Sequence, residues 1–501
     1  MDAIQNLLMG FAIALTPQNL LFAFLGSVLG TLIGVLPGVG PVAGVAMLIP
    51  LTFQMNPTGA IIMLTALFYG TQYGGTITSV LLNVPGEAAS AITCIEGYEM
   101  AKKGRGGAAL AIAAIGSFIG GTIATFALVL AAGPLTRTAL EFGPVEFFAL
   151  IVLGLSLLMG LAGKSMIKAL MMGIFGMLLA MIGMDPVRGL PRFTFGRMEL
   201  MDGIGFVPVI MGLFGLAEIL ENAEKQFGQV FAAKMSSLIP TREEIRDSVG
   251  PILRGSVIGT LLGLVPGMTG SASSFLSYIA ERKVSRHPER FGTGVIEGVA
   301  GPETANNAHA NGALIPLFTL GIPASPTVAV IMGAFMMHGL IPGPFLFKEH
   351  PDVAWGTIAS FYVGNVILLI LNLPLVGIWV KILKIPYGLL FGIILAFMVV
   401  GAYSISNTAF DVLVMALFGF IGYLLRKLDF PLAPVVLTLI LGPMMERSLR
   451  QSLEMSQGDL SIFLKAPIAV VLLALAALFL IAPAFKFFRR KKGSLTGEEG
   501  A

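Results

Sequence analysis

Apolar stretches of about 20 residues or more recur along the whole chain, for example at 107–132, 353–380 and 466–485. They limit what the chain can fold into more than any other feature. Roughly 20 apolar residues span the ~30 Å hydrocarbon core of a bilayer. Lipid offers no hydrogen bonds to backbone groups, so only helices or closed barrels cross it. These stretches lack the alternation of barrel strands, and the expected fold is an all-α polytopic membrane protein. Composition agrees, with 56% of the 501 residues hydrophobic and 12% charged. The 62 glycines suit close helix packing. The start, MDAIQNLLMGFAIALTPQNL, lacks the basic segment and small-residue cleavage site of a signal peptide. The single Cys94 excludes an intrachain disulfide framework and a cysteine-built metal site. A formal charge of +3 is too small to imply nucleic acid.

Internal duplication is the second constraint. GTLIGVLPGVG from Gly30 recurs as GTLLGLVPGMT from Gly259, and SVLLNVPGEAAS from Ser79 is echoed by LFTLGIPASPTV from Leu317, aligning Pro85 with Pro323. FGPVEFFALIVLG matches IPYGLLFGIILAF, and FVPVIMGLFGLAEILE matches LAPVVLTLILGPMMER. The expected organisation is a lead-in at 1–19, a first repeat at 20–220, a hydrophilic connector at 221–250, a second repeat at 251–446, and an extra C-terminal transmembrane helix with a basic tail at 447–501.

Lys and Arg in short loops mark the cytoplasmic side, and the two copies place theirs oppositely. FQMNPTG carries no basic residue, whereas its counterpart ERKVSRHPERFG carries Arg282, Lys283, Arg286 and Arg290. Conversely, AKKGRGG carries Lys102, Lys103 and Arg105 against the lone Lys348 of KEHPD, and AGKSMIK corresponds to the uncharged YSISNTA. If 20–53 is a hairpin returning to its own side, then 58–101, 107–132, 144–161, 168–183 and 203–218 give an odd number of crossings, which inverts the second copy. The expected topology has the N-terminus outside and the C-terminus inside. Of the 31 Lys and Arg, only Arg137, Arg188, Arg192, Arg197, Lys348, Arg447, Arg450 and Lys465 then fall outside. The loop VRGLPRFTFGR, with three of them, is the exception to the rule.

Inverted repeats with interrupted helices are an architecture of secondary transporters. A helix that stops inside the membrane turns free N–H groups or free carbonyls toward the cavity, favouring anions or cations respectively. Each half offers two interruptions: Pro37–Pro41 with Asn83–Gly86, and Pro266–Ser274 with Gly321–Ser325. The candidate binding residues at these broken or re-entrant hairpins are Gly38, Val39, Gly40, Asn83, Pro85, Gly86, Gly267, Thr269, Gly270, Ser271, Gly321 and Pro323. Isolated Pro and Gly can also merely kink or pack a helix. The densest polar stretch, EGVAGPETANNAHANGALIP from Glu297, adds Asn306 and Asn307 as donors to an anion or acceptors for a cation. Glu87, Glu303 and His309 join those two asparagines as candidates for ion coupling. The plainer alternative is a solvated loop capping a helix. Glu96 and Glu99, close to KKGR, read as interfacial, and Trp355 and Trp379 as interfacial anchors or partner contacts.

YGGTITSVLLNVPGEAASAITCIEGYEMAKKGRGGAALA and ERFGTGVIEGVAGPETANNAHANGALIPLFTLGIPASPTVAVIMGAFMMHGLIPGP resemble the TctA family, the large membrane subunit of tripartite tricarboxylate transporters. The resemblance covers nearly the whole chain. It implies a bacterial inner-membrane permease working with a small four-helix membrane subunit and a periplasmic solute-binding protein that delivers a carboxylate such as citrate. It implies import driven by an ion gradient, Na+ or H+, with no other cofactor, and the inverted copies make alternating access the expected mechanism. On that reading substrate carboxylates meet backbone N–H groups near Gly38, Gly40, Gly267 and Gly270. Consistently, the chain has no GxxxxGK[ST] loop. A stand-alone carrier of another organic anion is the alternative. A membrane enzyme lacks support, since none of His287, His309, His338 and His350 sits in HExxH and no GxGD occurs. A channel lacks the expected continuous polar stripe.

Overall fold

The computed structural model describes residues 3–36, 39–161, 165–185, 188–224, 238–383 and 387–496. Helices account for most of them, and the one sheet among the described residues is a two-residue ladder, β1 (Gly183–Met184) with β2 (Pro191–Arg192). Along the first half run α1 (Ala3–Ala14), α2 (Pro17–Val35), α3 (Pro41–Thr52), α4 (Pro57–Leu82), α5 (Thr93–Lys102), α6 (Gly106–Ala139), α7 (Pro144–Leu161), α8 (Met166–Ala180), α9 (Phe206–Ile210), a π-helical stretch at Met211–Leu216, and α10 (Ala217–Ala223). The second half has α11 (Arg242–Gly263), α12 (Gly270–Val284), α13 (Glu297–Gly312), α14 (Leu314–Leu320), α15 (Pro326–Met337), α16 (Pro344–Glu349), α17 (Pro351–Asn372), α18 (Val376–Ile382), α19 (Tyr387–Ser406), α20 (Ala409–Lys427), α21 (Ala433–Met455), α22 (Ile462–Lys465) and α23 (Pro467–Thr496).

Helix boundaries follow local chemistry. Asn56 accepts from the Gly59 N–H at 2.7 Å, with Pro57 in the first turn of α4, and Ser325 caps α15 ahead of Pro326 in the same way. An N-cap oxygen satisfies a backbone donor that has no partner within the helix. α4 ends on Asn83 and α14 on Gly321, both left-handed, at φ 56° and 72°. Asn and Gly are the residues that tolerate this stop, and the two occupy equivalent positions when Pro85 is aligned with Pro323.

The chain divides into two compact units: residues 1–140 with 207–424, and 141–206 with 425–501. In the first, α2 lies on α4 through Gly26, Gly30 and Gly34, which face the backbone carbonyls of Met63, Leu67 and Thr71. α11 lies on α13 through Gly255, Gly259 and Gly263, facing the carbonyls of Gly301, Ala305 and His309. The spacing is four residues on all four helices. In the return direction Gly74 meets the Thr31 carbonyl and Gly312 the Thr260 carbonyl. Small residues at such crossings let backbones approach, and packing replaces the hydrophobic drive that lipid removes. α4 is buried from Gly59 to Leu81, so its polar residues face protein. The π-helical stretch packs on α20, with Gly212 against Met415 and Gly419, and Gly422 against Leu213.

In the second unit, α21 packs on α7 and α8, with Gly176 against Val435 and Thr438. α23 lies along α7, sharing a core of Val145, Ala149, Phe463 and Ala469. Arg192 and Arg450 meet Asp185 and Glu446 here: Arg450 is bidentate on Asp185 at 3.1 and 2.9 Å, and Arg192 is bonded to Glu446 at 2.7 Å. One of the three arginines in the exceptional loop is thereby charge-compensated. Trp355 and Trp379 differ from the interfacial expectation, since both are buried, and the Trp379 indole donates to the Leu371 carbonyl at 2.9 Å.

Candidate functional site

Within the first unit, α13 is the helix around which the polar residues gather. Every residue from Gly298 to Gly312 is buried, although the helix carries Glu303, Asn306, Asn307, His309 and Asn311. It is therefore no solvated cap. A buried polar group costs stability unless it is hydrogen-bonded, and α13 obtains its partners from α4, α5, α6 and α12. Glu303, 1% exposed, accepts from Thr76 on α4 at 2.5 Å and from Thr93 on α5. Asn307 donates to Ser117 on α6 at 2.6 Å, and Asn311 to the Gly121 carbonyl at 3.1 Å.

One turn away, Asn306 donates to the Glu87 carboxylate at 2.9 Å. The Gln72 amide, oriented so that donor faces acceptor, gives its nitrogen to Glu87 at 2.9 Å and to the Asn306 carbonyl oxygen at 2.7 Å. Gln72, Glu87 and Asn306 thus form a closed triad joining α4, the first interruption and α13. Gly75 makes room for it: a Cβ there would press on the Glu87 side chain.

The tip of the second hairpin, the interruption at Pro266–Ser274, arrives on the same side. Thr269 caps α12 by accepting from the Ala272 N–H at 3.2 Å, Gly270 sits against Asn306 and Ala89, and Ser273 shares a 2.9 Å hydrogen bond with His309 Nδ1. The Gly267 N–H is taken by the Ala324 carbonyl at 3.0 Å, which ties this tip to the second interruption. Of the remaining candidates, Gly86 packs on Gly34 and Gly75, Gly40 lies beside Glu218, and Val39 sits in an apolar cluster with Leu36 and Ala43. Gly38 lies outside the described residues. The structure therefore brings Gly270, Glu87, Asn306 and His309 together, with Glu303 and Asn307 further along the same helix, while Val39 and Gly40 stand with other neighbours. Ser271 is half-buried on the first turn of α12. Asn83 and Pro85 are exposed, whereas Gly321 and Pro323 are buried.

The model of the tripartite tricarboxylate transporter TctA family matches residues 20–437. The chain belongs to the TctA family. This is a transporter family and not an enzyme family, and membership implies partner subunits and a binding protein. Two relatives from Agrobacterium vitis are similar to it. An "uncharacterized 52.8 kDa protein in TAR-I ttuC' 3'region" is 48% identical over 500 residues, covering all of both chains. An "uncharacterized protein in TAR-II ttuC' 3'region" is 46% identical over 241 residues, which is 48% of this chain and all of the relative. No solved structure matches the chain. Like other TctA proteins it is a multi-pass membrane protein: Pro17–Val35, Gly106–Ala139, Phe206–Ala223, Pro351–Asn372 and Ala409–Lys427 are long and apolar enough to cross a bilayer.

Several site residues escaped the sequence reading. Gln72, Thr76, Thr93 and Ser117 hold the carboxylates and amides of α13 and the first interruption in place. For Gln72 and Thr76 a signal was present in YGTQYGGTITS, since polar side chains inside a membrane-length helix need partners. Glu96, expected at the interface, is fully buried. It accepts from Tyr278 at 2.7 Å, from the N–H groups of Gly294 and Val295 at 2.7 and 2.9 Å, and from that of Gly292. Glu99 instead pairs with Lys102 near the surface.

Proposed function

We propose that this chain is the translocating subunit of a secondary transporter that imports carboxylates, a tricarboxylate such as citrate or a dicarboxylate, by symport with Na+ or H+. A periplasmic binding protein delivers the substrate, and a small four-helix subunit accompanies the chain in the bacterial inner membrane. The observation that carries this reading is the convergence of the second tip and the first interruption on the buried Glu87–Gln72–Asn306 triad. Backbone N–H groups in the first turn of α12, beside Gly270, suit a carboxylate. Two buried acidic side chains nearby repel an anion unless a cation or proton accompanies it, and that requirement is coupling.

The matched glycine contacts of α2–α4 and α11–α13, the matched left-handed stops at Asn83 and Gly321, and the opposed loop charges support an inverted repeat. Alternating access follows from two such halves around one site. Movement of the tip hairpins against the longer helices, in the manner of an elevator, is the form we favour.

The test is uptake into proteoliposomes containing both membrane subunits, with the loaded binding protein and an imposed Na+ or H+ gradient. Concentrative uptake that needs both the gradient and the binding protein is expected. Downhill flux independent of either would overturn the proposal.

A further inference from the structure

The loop Gly292–Val295, which leads from α12 into α13, stands apart from the triad and is shaped to receive negative charge. Gly292 and Gly294 sit at φ 92° and 91°, a conformation that glycine adopts at no steric cost. The N–H groups of Gly292, Gly294 and Val295 turn onto one carboxylate, and backbone donors gathered in this way form an anion nest. The occupant comes from the other half of the chain. Glu96 on α5 accepts from Gly294 at 2.7 Å, from Val295 at 2.9 Å and from Gly292. The Tyr278 hydroxyl of α12 is a fourth donor at 2.7 Å, and the Phe291 ring packs edge-on against Tyr278. Glu96 itself is 0% exposed.

Contacts on either side of Glu96 continue the same seam. Thr93, one turn earlier on α5, donates to Glu303 of α13, and Lys103, just past the end of α5, donates to the Thr293 carbonyl. A Cβ at Gly298 would press on the Glu96 side chain, and one at Gly294 on the backbone of Glu99 and Met100. Parting α5 from this loop would strand a buried carboxylate and three backbone N–H groups at once. A charge left buried without its partners costs far more than the net worth of the bonds it made.

We propose that Glu96 is a lock that holds α5 to α12 and α13 throughout the transport cycle. The proposal rests on the carrier reading and narrows it. A cycle in which the first repeat rocks against the second opens this seam, whereas one in which parts of both repeats travel together leaves it shut. Glu96 is a positioning residue on this account: it acts through Thr93, which it keeps against Glu303, and not on the substrate.

The test places Lys103→Cys and Thr293→Cys, both exposed, in a Cys94→Ala background. A short bifunctional methanethiosulfonate joins the two thiols, and reductant removes it. Gradient-driven uptake is measured, linked and reduced, in proteoliposomes containing both membrane subunits and the loaded binding protein. The linked protein is expected to keep about half or more of the uptake of the reduced one. Glu96→Gln, which turns amide hydrogens toward the nest, is expected to lower uptake about tenfold or more, and the linker to restore most of it. Tyr278→Phe removes one donor and keeps the ring, and it replaces Glu96→Gln if that variant does not reach the membrane. Uptake that the linker stops and reductant restores means that the seam opens, which overturns the lock. So does a Glu96→Gln protein with normal uptake, or one that the linker leaves unrestored. If the reduced protein with Glu96 intact shows no uptake, the carrier reading fails on its own account. Hydrogen exchange at 292–295 in the purified chain then decides the lock: slow exchange that Glu96→Gln accelerates keeps it, and fast exchange in the parent overturns it.

Discussion

Glu303 shows how much one side chain on α13 is asked to do. It is buried, takes two threonine hydroxyls from different helices, and has its own backbone carbonyl bonded to Ser117. Replacing it by Gln keeps the size and one of the two acceptor oxygens but removes the charge. Hydrogen bonds to charged groups contribute about 1.5–3 kcal/mol, so Glu303→Gln is expected to lower gradient-driven uptake by about tenfold or more. Membrane levels should stay near those of the parent. Equal uptake at equal levels would clear Glu303 of coupling. This residue was legible in the sequence because a carboxylate in an apolar context is conspicuous, and the same holds for Glu87. The partners Gln72, Thr76 and Ser117 were harder to place, because amides and hydroxyls scattered through apolar helices read as ordinary packing until the helices are placed side by side. The partners of Glu96 were hidden for a related reason: its backbone donors, Gly292, Gly294 and Val295, lie almost two hundred residues further along the chain.

At the scale of the element, the two glycine-lined pairs make the sharpest claim. Gly259 faces the Ala305 carbonyl, and an added methyl there would meet backbone, which cannot swing aside as a side chain can. Gly133 on α6 has nothing within 4 Å of the same position. Overpacking of a close crossing costs about 1–3 kcal/mol, whereas Gly→Ala in an open helix position gains up to about 1 kcal/mol. Gly259→Ala should therefore lower the thermal unfolding midpoint in detergent and Gly133→Ala should leave it unchanged or raise it. Equal responses would mean that the crossing is looser than it looks. The GTLIG and GTLLG strings pointed to the repeat, but their role did not follow from them. Gly30, Gly34, Gly259 and Gly263 are the contact surface leading up to the breaks.

For the whole molecule, the repeat makes a prediction about sidedness. In a Cys94→Ala background, Gln54→Cys and His287→Cys place a thiol after the first and the second broken segment, both at exposed positions. A membrane-impermeant maleimide applied to intact spheroplasts should label Gln54→Cys and spare His287→Cys, with both reacting after permeabilisation. Labelling of both from one side would remove the inversion. Sequence order and compactness part company at this scale: the first unit takes residues from both expected repeats, and so does the second. Short-range echoes could not reveal this, because α21 lies far along the chain from the α7 and α8 it packs against.

That separation orders the assembly of the protein. α2 meets α4, and α11 meets α13, soon after each pair leaves the ribosome, since few residues intervene. α7 and α8 must instead wait in the bilayer until α21 has been synthesised. Contacts distant in sequence form last and leave their surfaces uncovered meanwhile. Gly176 is the point on α8 that α21 eventually covers. A chain halted after residue 424 would keep its polar centre complete while that helix face stayed open to lipid.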